Sequence, residues 1–278
     1  MSRTNTIGGQ VSGCSIFTSL QNGGLEARIG RVESLYQSDL AYVHATAFET
    51  VTRGAASEIV RRLRSSNADI RRIMDIGCGA GPLTRALVEA GFDVTGIDTS
   101  ADLLQIARAN VPAAHFIHAS AYDVPIEDID AVVAIGEPLT YHCEAADADN
   151  LVSTFFQRVA DALPAGGLFI FDVIGLGEPS LVSRTWLSDD DWAVLVETTE
   201  DQNDRSLNRD KEVFRSVGDA YRRSREVHRV RLFDVLSLRN ELAACGFAVG
   251  TSQCYGSQPL PPRRCAFFAT RLATTSRD

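Results

Sequence analysis

A cluster of glycines in the first third of the chain has the composition of a ligand-binding turn. Residues 75–81 read Asp-Ile-Gly-Cys-Gly-Ala-Gly and begin inside a short apolar segment at residues 72–76. Glycine adopts backbone angles that are forbidden to other residues, and it lets a ligand approach the main chain closely. The segment therefore predicts a strand that turns into a helix around a bound small molecule. A tight turn without a ligand is the alternative.

Two residues near this turn narrow the kind of ligand. A dinucleotide-binding fingerprint has the pattern G-x-G-x-x-G, but Pro82 stands here at the place of the third glycine. Asp98 lies 17 residues after Gly81, at the end of the next apolar segment. A carboxylate at a strand end can accept hydrogen bonds from both hydroxyls of a ribose. The pattern therefore favours a ribose-containing ligand and disfavours a pyrophosphate.

Short apolar strands alternate with helices around this motif. We expect strands at residues 72–76, 93–97, 114–118, 129–135 and 167–173, and helices at residues 82–90, 101–110 and 150–163. Strands that are apolar on both faces and alternate with helices form a parallel sheet that is covered on both sides. The sequence therefore predicts an α/β fold with a doubly wound sheet.

The last part of the chain would complete this sheet. Residues 234–245 predict a helix that ends at Gly246, and residues 247–254 and 265–271 predict two strands separated by a proline-rich loop. These strands would close the sheet as a C-terminal β-hairpin. The full prediction is a seven-stranded, mostly parallel sheet.

Three segments differ from the alternating pattern. Residues 1–30 mix Ser, Thr, Gly and Asn without a sustained period and predict a flexible N-terminal tail. The remainder, residues 31–278, predicts a single domain, which starts with two cap helices at residues 31–66, interrupted near Gly54. Within residues 181–232, apolar and polar side chains alternate in the segments 193–197, 211–217 and 220–232, with Gly218 and Asp219 as a tight turn between the last two. They predict an antiparallel insertion that serves as a lid or as a dimer contact.

Composition limits the classes of partner. The chain of 278 residues has a formal net charge of -9, so its overall field repels the phosphates of nucleic acids. Its six cysteines are scattered without a CxxC pair, which argues against a zinc site and a disulfide framework. No apolar run approaches the roughly 18 residues of a membrane span, and no export signal is evident. We therefore expect a cytoplasmic protein without a membrane anchor or a metal.

Taken together, the motifs resemble the class I S-adenosylmethionine-dependent methyltransferase family. The resemblance covers about residues 36–172 and the closing hairpin. It is carried by the glycine turn and by residues 96–100 (Gly-Ile-Asp-Thr-Ser), 120–122 (Ser-Ala-Tyr) and 163–168 (Leu-Pro-Ala-Gly-Gly-Leu). It implies a Rossmann-like methyltransferase fold and S-adenosyl-L-methionine as the cofactor.

The resemblance also implies roles for single residues. Gly77 and Gly79 would lie against the methionine part of the cofactor, Asp98 would hold its ribose, and Tyr122 would lie beside its adenine. Packing against a helix is an equal alternative for Tyr122. Gly136 would face the sulfonium group. The candidate cofactor-binding residues are Tyr42, Asp75, Gly77, Cys78, Gly79, Gly81, Asp98, Thr99, Ser120, Ala121, Tyr122 and Gly136.

Methyl transfer from an activated donor needs alignment of donor and acceptor and, for some acceptors, removal of one proton. Three residues are candidates for catalysis: His142, Glu137 and His228. A neutral imidazole accepts a proton near pH 7, which favours the two histidines. The alternatives are a solvent-facing loop position for His142, an outward-facing strand position for His228 and a loop-capping role for Glu137.

The acceptor side has aromatic candidates. Tyr141 follows the fourth strand, and Trp186 and Trp192 flank the acidic residues 189–191, from where they would form a wall for an apolar or cationic acceptor. Tyr42 would touch the cofactor carboxylate, with core packing as the alternative. The basic residues 222–225 invite a phosphate or RNA interpretation, but an alternating strand points them to different faces and favours a solvated sheet edge.

The loop after the fourth strand favours a small acceptor. Residues 137–140 (Glu-Pro-Leu-Thr) differ from the Asn/Asp-Pro-Pro-aromatic pattern of enzymes that methylate amino groups of bases or glutamine side chains. The sequence thus predicts a methyltransferase of the small-molecule branch, acting on an oxygen, nitrogen or carbon atom of a small molecule such as a secondary metabolite. An RNA or protein methyltransferase, and an S-adenosylmethionine-binding protein with non-methylating chemistry, are the alternatives. A homodimer is left open.

Overall fold

A computed structural model describes residues 35–47, 50–141 and 148–273 of the chain. The tail predicted at residues 1–30 lies outside this part. The described residues all belong to one compact unit that begins at Ser34. No helix in these three ranges is long and apolar enough to cross a membrane.

The described chain forms six α-helices and thirteen strands. The helices are α1 (Ser38–Ala47), α2 (Thr50–Arg64), α3 (Pro82–Glu89), α4 (Ala101–Asn110), α5 (Ala148–Ala162) and α6 (Val235–Ala244), with a 3-10 turn at Pro138–Thr140. The strands are β1 (Arg72–Ile76), β2 (Asp93–Asp98), β3 (His115–His118), β4 (Ala131–Ala134), β5 (Leu168–Ile174), β6 (Ser183–Ser188), β7 (Trp192–Asp201), β8 (Ser206–Val217), β9 (Ala220–Arg231), β10 (Phe247–Ser252), β11 (Cys254–Tyr255), β12 (Gln258–Pro259) and β13 (Arg264–Arg271).

Seven of these strands form the central sheet, in the order β10-β13-β5-β4-β1-β2-β3. Strands β1 to β5 pair in parallel, whereas β13 is antiparallel to both β5 and β10. The predicted doubly wound, mostly parallel sheet with a C-terminal β-hairpin is therefore confirmed. From β1 the strand order continues through β2 and β3 on one side, whereas β4 and β5 lie on the other side of β1. The strand order therefore reverses between β1 and β4, and folds of this kind bind ligands in the crevice at the carboxyl ends of these two strands.

Aromatic packing fixes the base of this crevice. Phe155 and Phe156 of α5 pack against Phe169 and Phe171 of β5, and the ring of Phe171 stacks on that of Phe267 with centroids 4.7 Å apart. All five rings are fully buried. Each buried phenylalanine contributes about 1.5–3 kcal/mol of hydrophobic stabilisation. The strand ends that carry the loops of the crevice therefore stand on a rigid core.

The two predicted cap helices are present, but their boundary differs from the prediction. Gly54 lies inside α2 rather than between the helices, since α1 ends at Ala47 and α2 begins at Thr50. A glycine in a helix interior costs about 1 kcal/mol relative to alanine. Here the apolar face of α2, with Ile59 and Leu63 buried, packs against the sheet and outweighs that cost. The side chain of Gln258 fills the space that a Cβ at Gly54 would occupy.

The predicted insertion forms a separate four-stranded antiparallel sheet in the order β6-β7-β8-β9. Val217 pairs with Ala220 across the predicted tight turn, where Gly218 has a φ of 62°. Strand β6 was not predicted, because all six of its residues are exposed and give no apolar alternation.

This sheet packs on α1. Trp192, Val194 and Val213 form a cluster with Leu40 and Val43 of the helix. Polar contacts close the same interface, because Arg222 pairs with Asp39 and the carboxylate of Glu226 accepts the amides of Tyr36 and Gln37 at 2.7 and 2.8 Å. The insertion is thereby held beside the crevice of the central sheet.

Candidate active site

A cavity of about 400 Å³ lies between the carboxyl ends of the central strands, the cap helices and the inner face of the four-stranded sheet. Small-molecule sites commonly have volumes of about 300–1,000 Å³. Its residues come from the glycine turn, from the ends of β2, β3 and β4, from α1 and α2, and from β7 and β8. The cavity is therefore built jointly by the predicted ligand-binding loops and the insertion.

The glycine turn lines one end of the cavity. Gly77 and Gly79 have φ values of 66° and 56°, in the left-handed region that favours glycine. A Cβ at Gly77 would lie 2.2 Å from the Cβ of Pro138, so only glycine fits there. A Cβ at Gly79 would meet nothing closer than His44 on the opposite side, at 3.8 Å. The main chain at Gly79 is therefore open to a ligand.

Asp98 connects this turn to the end of β2. Its carboxylate accepts hydrogen bonds from the amides of Gly79, at 2.9 Å, and of Ser100, at 2.8 Å, and it lines the cavity together with Thr99. Burial raises the pKa of Asp98, while these backbone hydrogen bonds oppose the rise. The carboxylate thus holds the glycine turn in place and presents an acceptor to the cavity.

Asp75 and Gly81 do not reach the cavity, contrary to the expectation that they contact the cofactor. The Asp75 carboxyl is buried beneath the turn and accepts a hydrogen bond from Thr84 Oγ1 at 2.6 Å. Burial raises its pKa to about 7, although the Thr84 hydrogen bond opposes the rise. Gly81 precedes α3 with a φ of 85°, facing Val111. Both residues therefore shape the turn from behind.

The predicted adenine segment lines the cavity at its other side. Ser120, Ala121 and Tyr122 all contribute to the wall. Tyr122 also donates a hydrogen bond from its hydroxyl to the carbonyl of Leu139 at 2.6 Å, and its ring packs edge-on against Phe155. The ring of Tyr122 is therefore packed against the core and also borders the cavity.

Cys78 lines the cavity as a small buried side chain. Burial raises the pKa of its thiol well above the usual value, and the nearby carboxylates of Asp75 and Asp98 raise it further. The thiolate is therefore scarce near neutral pH, which disfavours nucleophilic chemistry. No group of three His, Cys, Asp or Glu side chains in the described ranges could hold a metal ion.

Helix α1 presents Leu40 and His44 to the cavity, together with Tyr36 just before it. Tyr42 was expected at the cofactor carboxylate, but it lies outside the cavity and donates its hydroxyl to Asp191 at 2.8 Å. Residues two positions from Leu40 and His44 lie on the opposite face of a helix. The sequence missed Tyr36, although its spacing from Leu40 and His44 was the signal that could have identified it.

The loop after β4 is held in a strained conformation. Gly136 and Glu137 have φ values of 90° and 65°, and both line the cavity. Asp172, at the end of β5, accepts their amides at 3.0 and 2.9 Å and a hydrogen bond from Tyr255 at 3.0 Å. Left-handed non-glycine residues persist only where the surroundings enforce them, and they cluster at functional sites.

Glu137, one of the three catalytic candidates, is ion-paired at the cavity wall. Its buried carboxylate pairs with Arg209 and, at 2.9 Å, with Arg264. Burial alone would raise the pKa of Glu137, but the charges of the two arginines outweigh it and hold the pKa below its usual value. The carboxylate therefore stays ionised and positions both guanidinium groups at the cavity wall.

His228 is fully buried behind the cavity wall. Its Nδ1 lies 2.9 Å from Lys211 Nζ, and its Nε2 lies 2.8 Å from Glu226 Oε2. Burial lowers its pKa. The expectation that His228 reaches the site is wrong in this detail, because its neighbour Lys211 occupies the wall instead. His142, the other predicted base, lies outside the described residues.

Of the aromatic candidates for the acceptor, only Tyr141 lines the cavity, with its hydroxyl 3.1 Å from that of Tyr36. Trp186 is 72% exposed, because it points to the outer face of β6 while its neighbour Thr185 lines the cavity. Trp192 points inward but lies against α1, beyond the cavity. The predicted tryptophan wall is therefore wrong, and Val194 and Val196 line the cavity there.

Comparisons with known proteins agree with this geometry. Residues 73–167 match the family model described as a methyltransferase domain. A putative methyltransferase of Bacillus subtilis (strain 168), YqeM, is 27% identical over 82% of this chain and 94% of its own length. Residues 73–167 of the chain therefore form a methyltransferase domain. The chain is accordingly a methyltransferase.

Other methyltransferases show more local or more distant similarity. A trans-aconitate 2-methyltransferase of Afipia carboxidovorans (strain ATCC 49405 / DSM 1227 / KCTC 32145 / OM5) is 38% identical over 36% of this chain and 37% of its own length. The crystal structure of an S-adenosylmethionine-dependent methyltransferase from Clostridium acetobutylicum ATCC 824 superposes with a TM-score of 0.71 at 16% identity, covering 84% of this chain and 98% of that one. The last similarity shows that this methyltransferase shares its fold with a solved member of the family.

Proposed function

We propose that this methyltransferase acts on a small molecule, which it methylates at an oxygen, nitrogen or carbon atom. The observation that supports this is the closure of the cavity by the four-stranded sheet. Val194, Val196, Arg209 and Lys211 of this sheet line the cavity, and the sheet is fastened to α1 by the Arg222–Asp39 pair. A cavity of about 400 Å³ closed in this way suits a cofactor and a small acceptor rather than a macromolecular surface.

The cofactor fits the part of the cavity that faces β1 and β2. The exposed main chain at Gly79 would lie against its methionine part, Asp98 would accept its ribose hydroxyls, and Ala121 with Tyr122 would border its adenine. The bound cofactor supplies a methyl group on a sulfonium sulfur. The protein then needs to hold the acceptor atom in line with that methyl group and to exclude water.

The strained loop after β4 lies between the two halves of the cavity. Gly136 and Glu137 would therefore stand next to the site of transfer, and Tyr141 with Tyr36 would border the acceptor. The similarity to a trans-aconitate 2-methyltransferase supports a small acceptor, since that name states one. The negative net charge and the pairing of Arg223 and Arg225 with carboxylates on the outer sheet face give no support to an RNA acceptor.

The test is a methylation screen with purified protein. S-adenosylhomocysteine formation is measured with a library of small metabolites, with bulk RNA and with a protein extract, for wild type and for an Asp98→Ala variant. We expect turnover with a member of the small-molecule library and a strong loss of turnover in the variant at subsaturating cofactor. Turnover with only RNA or protein would contradict the proposal.

A further inference from the structure

Three cationic side chains from two different sheets line the cavity. We name Arg209, Lys211 and Arg264 the cation cluster; all three line the cavity. The carboxylate of Glu137 is shared by the two arginines. Lys211 has only neutral neighbours within hydrogen-bond range in the described contacts, namely His228 Nδ1 at 2.9 Å and Tyr36 Oη at 3.4 Å. Among the described contacts, the three cations therefore share one directly paired carboxylate, that of Glu137, while Asp172 and Glu226 act on Arg264 and Lys211 only at longer range.

We infer that the cation cluster binds a carboxylate group of the methyl acceptor, so that the acceptors of this enzyme are small carboxylic acids. The inference rests on the proposed function and specifies its substrate class. Buried charges are costly unless they are paired. A carboxylate on the acceptor supplies the missing counter-charge, and a guanidinium group offers it several N–H donors in a planar arrangement.

The sheet positions of the two arginines favour the acceptor over the cofactor. Arg264 begins β13 and pairs with Ile174 at the end of β5, and in the sheet β5 and β4 lie between β13 and β1. At about 4.8 Å per strand, the backbone of Arg264 stands roughly 14 Å across the sheet from the strand that carries the glycine turn. Arg209 pairs with the same carboxylate, that of Glu137 after β4. The two arginines therefore lie on the side of the cavity formed by β4, β5 and β13.

Proton binding provides an internal reporter of this contact. Burial and the charge of Arg209 together lower the pKa of Lys211 to about 7, against the opposing effects of Glu137 and Glu226. A bound carboxylate favours the ammonium form, so binding near pH 7 takes up a proton and weakens as the pH rises. The ionisable groups that face Lys211 are Tyr36 and His44 beside or on α1, Glu137 and Tyr141 after β4, Arg209 on β8, and Glu226 and His228 on β9.

Proton uptake near pH 7 can be assigned to Lys211 rather than to these neighbouring groups. The pKa of His44 is lowered to about 3 by burial and by the charge of Lys211, so this histidine stays neutral. The pKa of Tyr141 is raised by burial, so its hydroxyl stays protonated. His228 is the remaining group whose ordinary range is near neutrality, and burial lowers its pKa. A Lys211→Met variant therefore identifies the proton that belongs to Lys211.

The experiment compares acids with their amides. The enzyme saturated with S-adenosylhomocysteine is screened by thermal shift against a library of small carboxylic acids and the primary amides of the same acids, and calorimetry measures the affinity of each hit. We expect acids to bind at least about tenfold more tightly than their amides, as for hydrogen bonds to charged groups. Arg264→Gln and Lys211→Met should each remove most of this preference. The matched control is Arg225→Gln, whose exposed arginine pairs with Asp210 on the outer face of the sheet.

Calorimetry in two buffers of different ionisation enthalpy then counts protons. We expect wild type to take up a fraction of a proton per acid bound at pH 7, and Lys211→Met to take up none. Amides that bind as tightly as acids, or an acid preference that survives both variants, would overturn the inference. Turnover with neutral small molecules in that case would leave the proposed function intact, whereas turnover with only macromolecules would reject both.

The cofactor also has a carboxylate, and a second comparison distinguishes the two sources. Methylthioadenosine lacks the amino acid part of S-adenosylhomocysteine. If the cluster held the cofactor, both variants would weaken S-adenosylhomocysteine at least about tenfold and leave methylthioadenosine unchanged. That result would overturn the assignment to the acceptor. We expect both nucleosides to bind the variants within about twofold of wild type.

Discussion

Replacing Asp98 with alanine tests the cofactor half of the site most directly. In the structure, the carboxylate accepts the amides of Gly79 and Ser100 and still lines the cavity. The variant loses these two hydrogen bonds to a charged acceptor, at about 1.5–3 kcal/mol each, so we expect a loss of at least about 3 kcal/mol in the free energy of unfolding. It also loses the proposed contact with the ribose. A hydrogen bond to a charged group contributes about 1.5–3 kcal/mol, which predicts a 10- to 100-fold weaker affinity for S-adenosylhomocysteine.

Two measurements separate these effects. Urea unfolding without ligand gives the stability term, and calorimetric titration well below the unfolding midpoint gives the affinity of the folded variant. Asp123→Ala is the control, because Asp123 is an exposed carboxylate directly after the adenine segment and its removal changes the net charge equally. A folded Asp98→Ala variant that binds S-adenosylhomocysteine as tightly as wild type would refute the reasoning about this strand end.

Three further changes test the structure elsewhere. Glu137→Gln leaves Arg209 and Arg264 without their carboxylate and should lower the free energy of unfolding by about 3 kcal/mol in urea; a neutral effect would show that the pairing is weak. Trp192→Ala removes a side chain that is 6% exposed and should cost about 3–5 kcal/mol, whereas Trp186→Ala, at 72% exposure, should change stability by less than about 0.5 kcal/mol; equal effects would contradict the assigned faces. Asp75 has a folded pKa of about 7, above the value of the unfolded chain, so its contribution to stability is present at low pH and is lost as the pH rises from about 4 through 7. The melting temperature of Asp75→Asn should therefore rise relative to that of wild type across that pH interval. A difference in melting temperature that stays constant with pH would reject the raised pKa.

The fold was accessible from the sequence because its signals are local. Strands such as β4 and β5 are apolar on both faces, which only a covered parallel sheet explains, and the glycine turn marks the first crossing from strand to helix. Strand β6 gave no such signal, since an exposed edge strand needs no apolar alternation. The break between α1 and α2 was misplaced at Gly54, because tertiary packing tolerates a helical glycine.

The sequence also predicted part of the candidate site. It correctly placed the following residues at the cavity, because a parallel sheet brings the ends of their strands together: Gly77 to Gly79, Asp98 and Ala121. The cation cluster was missed, since Arg209 and Lys211 belong to the four-stranded sheet and Arg264 to the central sheet, and the two arginines come together at the carboxylate of Glu137. Trp186 and Trp192 were predicted to line the site because they are aromatic. The direction in which each side chain points depends on the register of its strand, which aromatic character does not reveal.

The docking of the four-stranded sheet on α1 makes the two halves of the cavity separable in evolution. The family model matches residues 73–167 and ends before that sheet begins at Ser183. The loops proposed to bind the cofactor can therefore be retained while β7 and β8 exchange the side chains that meet the acceptor. A replacement sheet from another enzyme must supply a cation for Asp39 and a carboxylate for the amides of Tyr36 and Gln37. With those contacts preserved, the insertion is a unit in which new acceptor preferences can be selected.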